Sequence, residues 1–293
     1  MLYQRKQTIA NNDREAPVFG ASYDLEKEEN QMIKLIACDL DGTLLYGRDN
    51  SVSEEMFGMI KELKEKGIIF AAASGRQYFN LKNLFAPVWQ DMAFICENGA
   101  VVYYEDRMIA QQEIPREEVM NLIKLVDSDE RTEVAFSSAT TTYVRPKNQE
   151  YLKLLEKLGN NVAVVNEWED IEEPCVKFAW YEKEGVEERM DYWNSVIKPP
   201  AKVVTSGTQW LDVLYPDSHK GVGIGVLLEF FGLKKEEIMA FGDNYNDTEM
   251  LESVGCPIAM SSGKPEIIAL CQYQTDRVED TIREILEGKF FEK

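Results

Sequence analysis

The chain has 293 residues, of which 44% are apolar, and its 52 acidic and 32 basic side chains give a formal net charge of −20. This length suggests two domains of about 150 residues each, and so acidic a surface repels nucleic acids and anionic membranes, which argues against both as partners. The single histidine, His219, argues against histidine-ligated zinc, a Ser-His-Asp triad and phosphohistidine chemistry, so carboxylates and lysines are the groups expected to carry any catalysis.

Residues 1–31 are polar and irregular, which predicts an N-terminal extension in the form of an arm or a flexible leader. They hold no uninterrupted apolar stretch of signal-peptide length, and no apolar run in the chain reaches the roughly 20 residues that span a bilayer. The five cysteines are widely spaced and include no CxxC pair, which is typical of reduced thiols. We therefore expect a cytoplasmic protein, and Met32, where a regular pattern begins, is a candidate start codon.

From Met32 onward, short apolar runs alternate with amphipathic segments, which predicts strands and helices in alternation and hence a parallel sheet. Ser53 is expected to cap the first helix and Gly67 to end it. The predicted elements are strands at residues 33–38, 68–73 and 92–96 and helices at 53–66 and 77–85.

The rhythm changes after Glu97-Asn98-Gly99, where a hairpin turning at Glu105-Asp106 leads into mixed strands and helices. This change predicts a separate α+β domain over residues 113–207, inserted into an α/β core made of residues 32–112 and 208–293. The inserted domain is predicted to hold helices at 116–127, 149–158 and 186–196 and strands at 133–137, 141–145, 175–181 and 202–206. The core is predicted to resume with strands at 210–215, 238–241 and 257–260 and helices at 221–231, 247–253, 266–270 and 279–286.

Asp39-Leu40-Asp41-Gly42-Thr43 follows the first predicted strand of the core, at the sheet edge where ligands bind in open α/β sheets. Of its two carboxylates, one could attack while the other transfers protons, or both could face a metal. Gly42 permits a tight turn and a close approach of the backbone to an anion. An acidic turn after a strand is the ordinary alternative, so this motif is weak evidence by itself.

Gly242-Asp243-Asn244-Tyr245-Asn246-Asp247 also follows a predicted buried strand. Asp243 and Asp247 are four residues apart and offer hard oxygen ligands of the kind that Mg²⁺ prefers. The alternative is a capped helix start, where Asp and Asn are common.

Two further loops could hold an anion or a counter-ion. Ser74-Gly75-Arg76 offers a hydroxyl and backbone N–H groups at a predicted helix N-terminus, which can bind an anion, although a Ser-Gly turn is equally ordinary. Lys220 stands at the start of another predicted helix, where a cation opposes the helix dipole. Either a buried acidic site or simple solvation would explain that lysine.

Together these motifs resemble the haloacid dehalogenase-like superfamily, in number and in order. Asp39-Leu40-Asp41-Gly42-Thr43-Leu44 matches its DxDGT loop, Ser74 its second motif (where many relatives carry Thr), Lys220 its third and Gly242-Asp243…Asn246-Asp247 its fourth. The inserted domain lies where the family has its type-2 cap, and with Glu97-Asn98-Gly99-Ala100 the fourth motif is similar to the Cof-type subgroup with a C2B cap. The resemblance covers about residues 32–293 and leaves residues 1–31 unexplained.

The resemblance implies a Rossmann-like α/β core with an inserted α+β cap, and a Mg²⁺-dependent phosphatase acting on a small phosphorylated metabolite through an aspartyl-phosphate at Asp39. Clustered carboxylates also favour a cation, since they would not all stay ionised without one. The residues implied are Asp39, Asp41 and Lys220 for catalysis; Asp39, Asp41 (through its carbonyl), Asp243 and Asp247 for the metal; and Leu40, Gly42, Ser74, Gly75, Arg76, Asn98 and Asn246 for the substrate.

Two other functions remain open at this point. A phosphomutase or phosphotransferase on the same scaffold would differ only in the phosphoryl acceptor, and a non-catalytic binding protein would use the fold without turnover. The expected partner is a phosphorylated metabolite such as a sugar phosphate, for a monomer or homodimer that binds neither nucleic acid nor membranes. Arg145 and Lys177 in the cap are candidates for contacting the rest of the substrate, with a solvated surface charge as the alternative for each.

Overall fold

The computed structural model describes residues 7–9, 32–45, 51–205, 208–215 and 217–290. The chain divides into two compact units. One, the insert unit, contains the described residues of 111–218 together with Gln77–Asn80 and residues 7 and 8. The other, the core unit, contains the described residues of 9–76, 81–110 and 219–290.

A nine-stranded sheet carries the predicted parallel α/β pattern. Its strands β2 (Leu35–Asp39), β3 (Ile69–Ala73) and β4 (Met92–Cys96) run parallel to one another. Strands β13 (Ile238–Gly242), β14 (Cys256–Met260) and β15 (Tyr273–Thr275) continue the parallel arrangement on the other side of β2. Because β2 lies inside this parallel sheet, all five of its residues are buried. In spatial order the strands are β1 (Gln7–Ile9), β6 (Arg107–Gln112), β5 (Val101–Tyr104), β4 (Met92–Cys96), β3 (Ile69–Ala73), β2 (Leu35–Asp39), β13 (Ile238–Gly242), β14 (Cys256–Met260) and β15 (Tyr273–Thr275).

Small side chains on these strands leave room for a close-packed helix layer, with Ala37, Ala71 and Ala93 side by side in the sheet register. As predicted, Ser53 caps the first helix, its hydroxyl accepting a hydrogen bond of 3.1 Å from the amide of Met56. The helices outside residues 111–218 are α1 (Glu54–Glu65), α2 (Tyr78–Leu84), α6 (Lys220–Phe231), α7 (Thr248–Glu252), α8 (Pro265–Leu270) and α9 (Val278–Leu286).

The insert unit has its own six-stranded sheet and its own apolar core. In that core the indole rings of Trp180 and Trp193 pack edge to face at 4.8 Å, and both indole N–H groups donate to the buried carboxylate of Glu182. In spatial order the strands are β11 (Lys202–Thr205), β12 (Trp210–Leu214), β10 (Lys177–Glu182), β7 (Thr132–Ser137), β8 (Thr142–Val144) and β9 (Val162–Val164), and the helices are α3 (Arg116–Asp127), α4 (Gln149–Lys157) and α5 (Met190–Val196). Short 3₁₀ helices in the two units span Trp89–Asp91, Glu97–Gly99, Trp168–Asp170, Glu187–Arg189, Lys235–Glu237 and Tyr245–Asp247.

One predicted strand belongs to the other sheet. Residues 210–215 were expected to resume the core, but Trp210–Leu214 lies between β11 and β10 and pairs antiparallel with both. An apolar strand between turns looks the same in either sheet, because its sequence does not say which partners it has. The unit boundary consequently lies after Ser218 rather than after residue 207, and the last described strand before Lys220 belongs to the sheet of the insert unit.

Smaller differences concern short elements. Strands β9 and β15 have three residues each and were not predicted, and the helix predicted at 186–196 is split into a 3₁₀ turn and α5. Within the predicted N-terminal extension over residues 1–31, Gln7–Ile9 form the strand next to β6, and the description of the extension as an arm or a flexible leader stays a prediction. The rest of that prediction, residues 1–6 and 10–31, lies outside the described residues. Within the described ranges, no helix combines the length and apolar character needed to cross a bilayer.

Candidate active site

Three carboxylates converge at one edge of the core sheet. Asp39 ends β2, and Asp243 and Asp247 follow the neighbouring parallel strand β13. Because the strands are parallel and adjacent, their carboxyl ends lie at the same edge. One oxygen from each carboxylate lies within 4.8 Å of the other two. The predicted convergence of the first and fourth motifs is therefore observed in the fold.

Lys220 lies inside this cluster and is fully buried. As the first residue of α6, it extends its ammonium to Oδ1 of Asp39, to which it donates a hydrogen bond, and to Oδ1 of Asp247 at 2.7 Å. Burial alone would lower the pKa of Lys220, but these two carboxylates raise it above its usual value, so the ammonium stays charged. Of the two explanations that the sequence left open for this lysine, the buried acidic site is the one observed.

The carboxylates carry more negative charge than one lysine offsets. Burial raises the pKa of Asp39 to about 7, with Lys220 opposing the shift and Asp247 adding to it. Burial and the charge of Asp247 also raise the pKa of Asp243, although a hydrogen bond from Thr43 opposes this. Raised carboxyl pKa values in a cluster at a ligand-binding edge are typical of functional sites.

Asp247 uses both of its oxygens within the protein. Its Oδ1 accepts from Lys220, and its Oδ2 accepts from the amide nitrogens of Asp243 and Asn244 at 3.0 and 3.1 Å. These contacts hold the loop after β13 against the start of α6. Among the described residues, no backbone amide donates to the carboxylate of Asp243, which is half-buried, so Asp39 and Asp243 are better placed than Asp247 to ligate a cation directly.

The loop after β2 approaches Asp243 closely because it contains a glycine. Gly42 has φ +99°, and a Cβ built on it would lie 2.5 Å from Oδ2 of Asp243. A side chain at this position would therefore be strained and would collide with the carboxylate. Thr43, which was quoted only as part of the first motif, is fully buried and donates a hydrogen bond of 3.0 Å to Oδ1 of Asp243. The sequence feature that could have identified Thr43 as a site residue is its position directly after Gly42.

Asp41 differs from Asp39 in exposure and in its partner. Its side chain is 58% exposed, whereas Asp39 is buried. Both oxygens of Asp41 accept from the guanidinium of Arg76, from Nη2 at 2.5 Å and from Nε at 3.2 Å. The structure thus brings the first and second motifs together through an ion pair that the sequence did not predict.

Backbone hydrogen bonds join the second motif to the loop that contains Asn98. The amide of Ser74 donates to Ile95 at 2.8 Å, and the Ser74 carbonyl accepts from the amide of Asn98 at 3.0 Å. Asn98 has φ +55°, and a Cβ built on Gly75 would lie 3.1 Å from its Oδ1. Within the described part of the chain, Oδ1 of Asn98 is buried and accepts no hydrogen bond. Ser74 and Gly75 are therefore fixed beside an amide oxygen at the edge of the sheet.

The chain matches the family of haloacid dehalogenase-like hydrolases over residues 36–282. The chain belongs to this family. Among its relatives is 5-amino-6-(5-phospho-D-ribitylamino)uracil phosphatase of Escherichia coli, 26% identical over 87% of this chain and 97% of the relative. Phosphoglycolate phosphatase 1 of Saccharolobus solfataricus is also 26% identical, over 88% of this chain and 98% of the relative. A solved structure from Thermotoga maritima, 24% identical, matches the fold with a TM-score of 0.76 over 88% of this chain and 97% of its own.

Membership of the haloacid dehalogenase-like hydrolases confirms the family, the fold class and the expectation of an enzyme that the motifs gave. Two of the residues implied as substrate ligands, Leu40 and Asn246, differ in how accessible their side chains are. The side chain of Leu40 is fully buried, so Leu40 can contribute only its backbone. Asn246 is exposed in the 3₁₀ turn of the fourth motif.

The two cap candidates both lie in the insert unit of this hydrolase, and each has carboxylates near it. Lys177 Nζ lies 3.2 Å from the buried carboxylate of Asp212. Arg145 is 46% exposed and lies 3.7 Å from Glu167. Their contact with a substrate stays a prediction.

Proposed function

We propose that the protein is a phosphatase that uses Mg²⁺ to hydrolyse a small phosphorylated metabolite through an aspartyl-phosphate on Asp39. The observation that carries this proposal is the buried cluster in which Asp39 and Asp247 share the ammonium of Lys220. Burying charged side chains costs free energy of folding. Because these side chains lie at the ligand-binding edge of the sheet, a catalytic role is the favoured explanation for their burial. The names of the two relatives, both phosphatases, support the same activity.

The residues of the cluster fit a divalent cation. Their oxygens lie within 4.8 Å of one another and are the hard donors that Mg²⁺ prefers, and one lysine among three carboxylates leaves negative charge to be neutralised. Mg²⁺ would be held by the carboxylates of Asp39 and Asp243 and the carbonyl of Asp41, with Asp247 ordering its waters. When bound, it would supply positive charge to the phosphoryl oxygens.

Because Oδ1 of Asp39 accepts a hydrogen bond from Lys220, we assign the attack to Oδ2. In the first step this oxygen bonds to phosphorus while the bond from phosphorus to the ester oxygen breaks, and Asp41 gives a proton to that leaving oxygen. In the second step Asp41 takes a proton from water, the water oxygen bonds to phosphorus, and the bond to Asp39 breaks, which releases inorganic phosphate. Ser74, Lys220 and Asn246, with nearby N–H groups, would hold the phosphoryl oxygens.

The test compares wild type with Asp39→Asn. It measures the release of inorganic phosphate from p-nitrophenyl phosphate in the presence of Mg²⁺. Amide and carboxylate are nearly isosteric and Lys220 keeps Asp247 as a partner, so the fold should persist while turnover falls below about 1% of wild type. Asp106→Asn is the matched control, because it makes the same change at an exposed hairpin position and should leave turnover unchanged. Retained turnover by Asp39→Asn, or full wild-type activity in excess chelator, would contradict the proposal.

A further inference from the structure

The ion pair between Arg76 and Asp41 occupies both oxygens of the carboxylate. Nη2 and Nε of Arg76 donate to Oδ1 and Oδ2 respectively. Such a forked contact fixes the plane of the carboxylate as well as its position. While this pair is intact, neither oxygen of Asp41 is free to meet the leaving oxygen of a phosphate ester.

Arg76 is held by hydrogen bonds at its backbone and is partly exposed at its guanidinium. Its amide donates to the hydroxyl of Ser74 at 3.2 Å, and its carbonyl accepts from the amide of Glu97 at 3.1 Å. The guanidinium, in contrast, lies in a partly exposed position, with 29% of the side chain accessible. The main chain at the anion-binding loop can therefore stay fixed while the side chain exchanges one partner for another.

A phosphoryl group competes naturally for this guanidinium. It offers Arg the same forked geometry as a carboxylate and carries more negative charge. We propose that Arg76 is a two-position residue, which holds Asp41 aside while no phosphate is bound and transfers to a phosphoryl oxygen when phosphate enters, thereby freeing Asp41. The inference rests on the proposed function, because it concerns the residue assigned there to proton transfer.

If this exchange occurs, Asp41 competes with phosphate for the guanidinium of Arg76. The competition can be measured as a change in phosphate affinity, without measuring turnover. The experiment titrates inorganic phosphate in the presence of Mg²⁺ into four full-length proteins: wild type, Asp41→Asn, Arg76→Ala and the double variant. Asp41→Asn should tighten phosphate binding about two- to fivefold, the range expected when an exposed ion pair no longer has to be broken. Arg76→Ala should weaken it about tenfold.

The double variant decides the matter. If Asp41 acts through Arg76, Asp41→Asn should have no effect on phosphate affinity once Arg76 is alanine. If the gain from Asp41→Asn persists in that background, it reflects only the loss of a negative charge near phosphate, and the two-position role is overturned. If Asp41→Asn gives no gain in phosphate affinity in the protein that keeps Arg76, the two-position role is overturned as well.

Arg76→Lys provides a variant that keeps the charge but cannot form the fork. It should bind phosphate with an affinity between those of wild type and Arg76→Ala, and Asp41→Asn should help it less than it helps wild type. Circular dichroism and thermal melting of each variant show whether it is folded before it is titrated. A phosphatase that loses turnover in Asp39→Asn but shows no coupling between Arg76 and Asp41 would leave the proposed function standing and remove only this inference.

Discussion

Thr43 Oγ1 donates a hydrogen bond of 3.0 Å to Oδ1 of Asp243, which lies 200 residues further along the chain. The contact joins the loop after β2 to the loop after β13, and both atoms belong to the edge where the carboxylates converge. The hydroxyl also lowers the pKa of Asp243 against the effect of burial. It therefore helps keep the carboxylate ionised and fixed in the orientation in which a cation would meet it.

Thr43→Val should weaken Mg²⁺ binding, because it removes the donor and keeps the shape of the side chain. We expect the Mg²⁺ concentration for half-maximal phosphate release to rise about tenfold, with activity recovering at high Mg²⁺. Thr43→Ser keeps a hydroxyl and serves as the control, with a value near wild type. Equal Mg²⁺ dependence in the valine and serine variants would show that the contact is not used.

Gly42→Ala should damage activity more than stability. At φ +99° an added Cβ would lie 2.5 Å from Oδ2 of Asp243 and displace a proposed metal ligand, so turnover should fall about 100-fold. Gly288→Ala is the matched control, since Gly288 has φ +73° with nothing within 4 Å of the added Cβ. It should cost about 1 kcal/mol of unfolding free energy, from backbone strain alone, and no activity. Similar turnover in the two variants would contradict the close approach at Gly42.

Two glycines of α6 should respond oppositely to the same substitution. A Cβ on Gly223 would lie 2.4 Å from Cγ2 of Ile95, on the neighbouring strand β4, whereas a Cβ on Gly225 would meet nothing within 4 Å. Gly225→Ala should stabilise the protein by up to about 1 kcal/mol through helix propensity. Gly223→Ala should destabilise it by about 1–3 kcal/mol through overpacking. Urea unfolding of both variants measures the difference, and a Gly223→Ala variant as stable as Gly225→Ala would be incompatible with this packing.

Asp129 gives the insert unit a pH-dependent contribution to stability. Its carboxylate accepts hydrogen bonds from Arg131 and, at 2.5 Å, from Arg189, and the hydrogen bonds from Arg131 hold its pKa well below the usual value, although burial opposes them. A carboxyl whose folded pKa is depressed stabilises the fold above its unfolded pKa of about 3.9 and loses that contribution as pH falls further.

Asp129→Asn should therefore lower the unfolding free energy by about 1 kcal/mol at pH 7, with the difference from wild type shrinking below about pH 4. Asp280→Asn, at an exposed pair with Arg283, is the control and should change it by a few tenths of a kcal/mol at most. Chemical unfolding at several pH values makes the comparison. A difference between Asp129→Asn and wild type that is constant down to pH 3 would refute the assignment.

The sequence predicted the convergence of Asp39 and Asp243 because the carboxyl ends of parallel strands meet at one edge, whatever the side chains do. The sequence singled out Lys220 as a cation at the start of a helix, but it did not predict that Lys220 binds both Asp39 and Asp247. Those contacts depend on how α6 packs against the sheet. The pairing of Arg76 with Asp41 depends on the side-chain torsions of a partly exposed and an exposed residue, which no spacing rule fixes. Trp210–Leu214 was assigned to the wrong sheet because two sheets of similar composition compete for the same apolar strand.

The position of β2 in the sheet also has a consequence for synthesis on the ribosome. The strand that ends in Asp39 can pair with β3 as soon as Ile69–Ala73 has emerged, but its other edge has no partner until Ile238–Gly242 has been translated. Throughout translation of the intervening chain, the backbone donors and acceptors along this edge stay open to pairing with other nascent chains, in a strand that is apolar except for Asp39. Premature termination anywhere in the insert should therefore yield aggregating fragments, and the sheet on both sides of Asp39 is completed only near the end of translation.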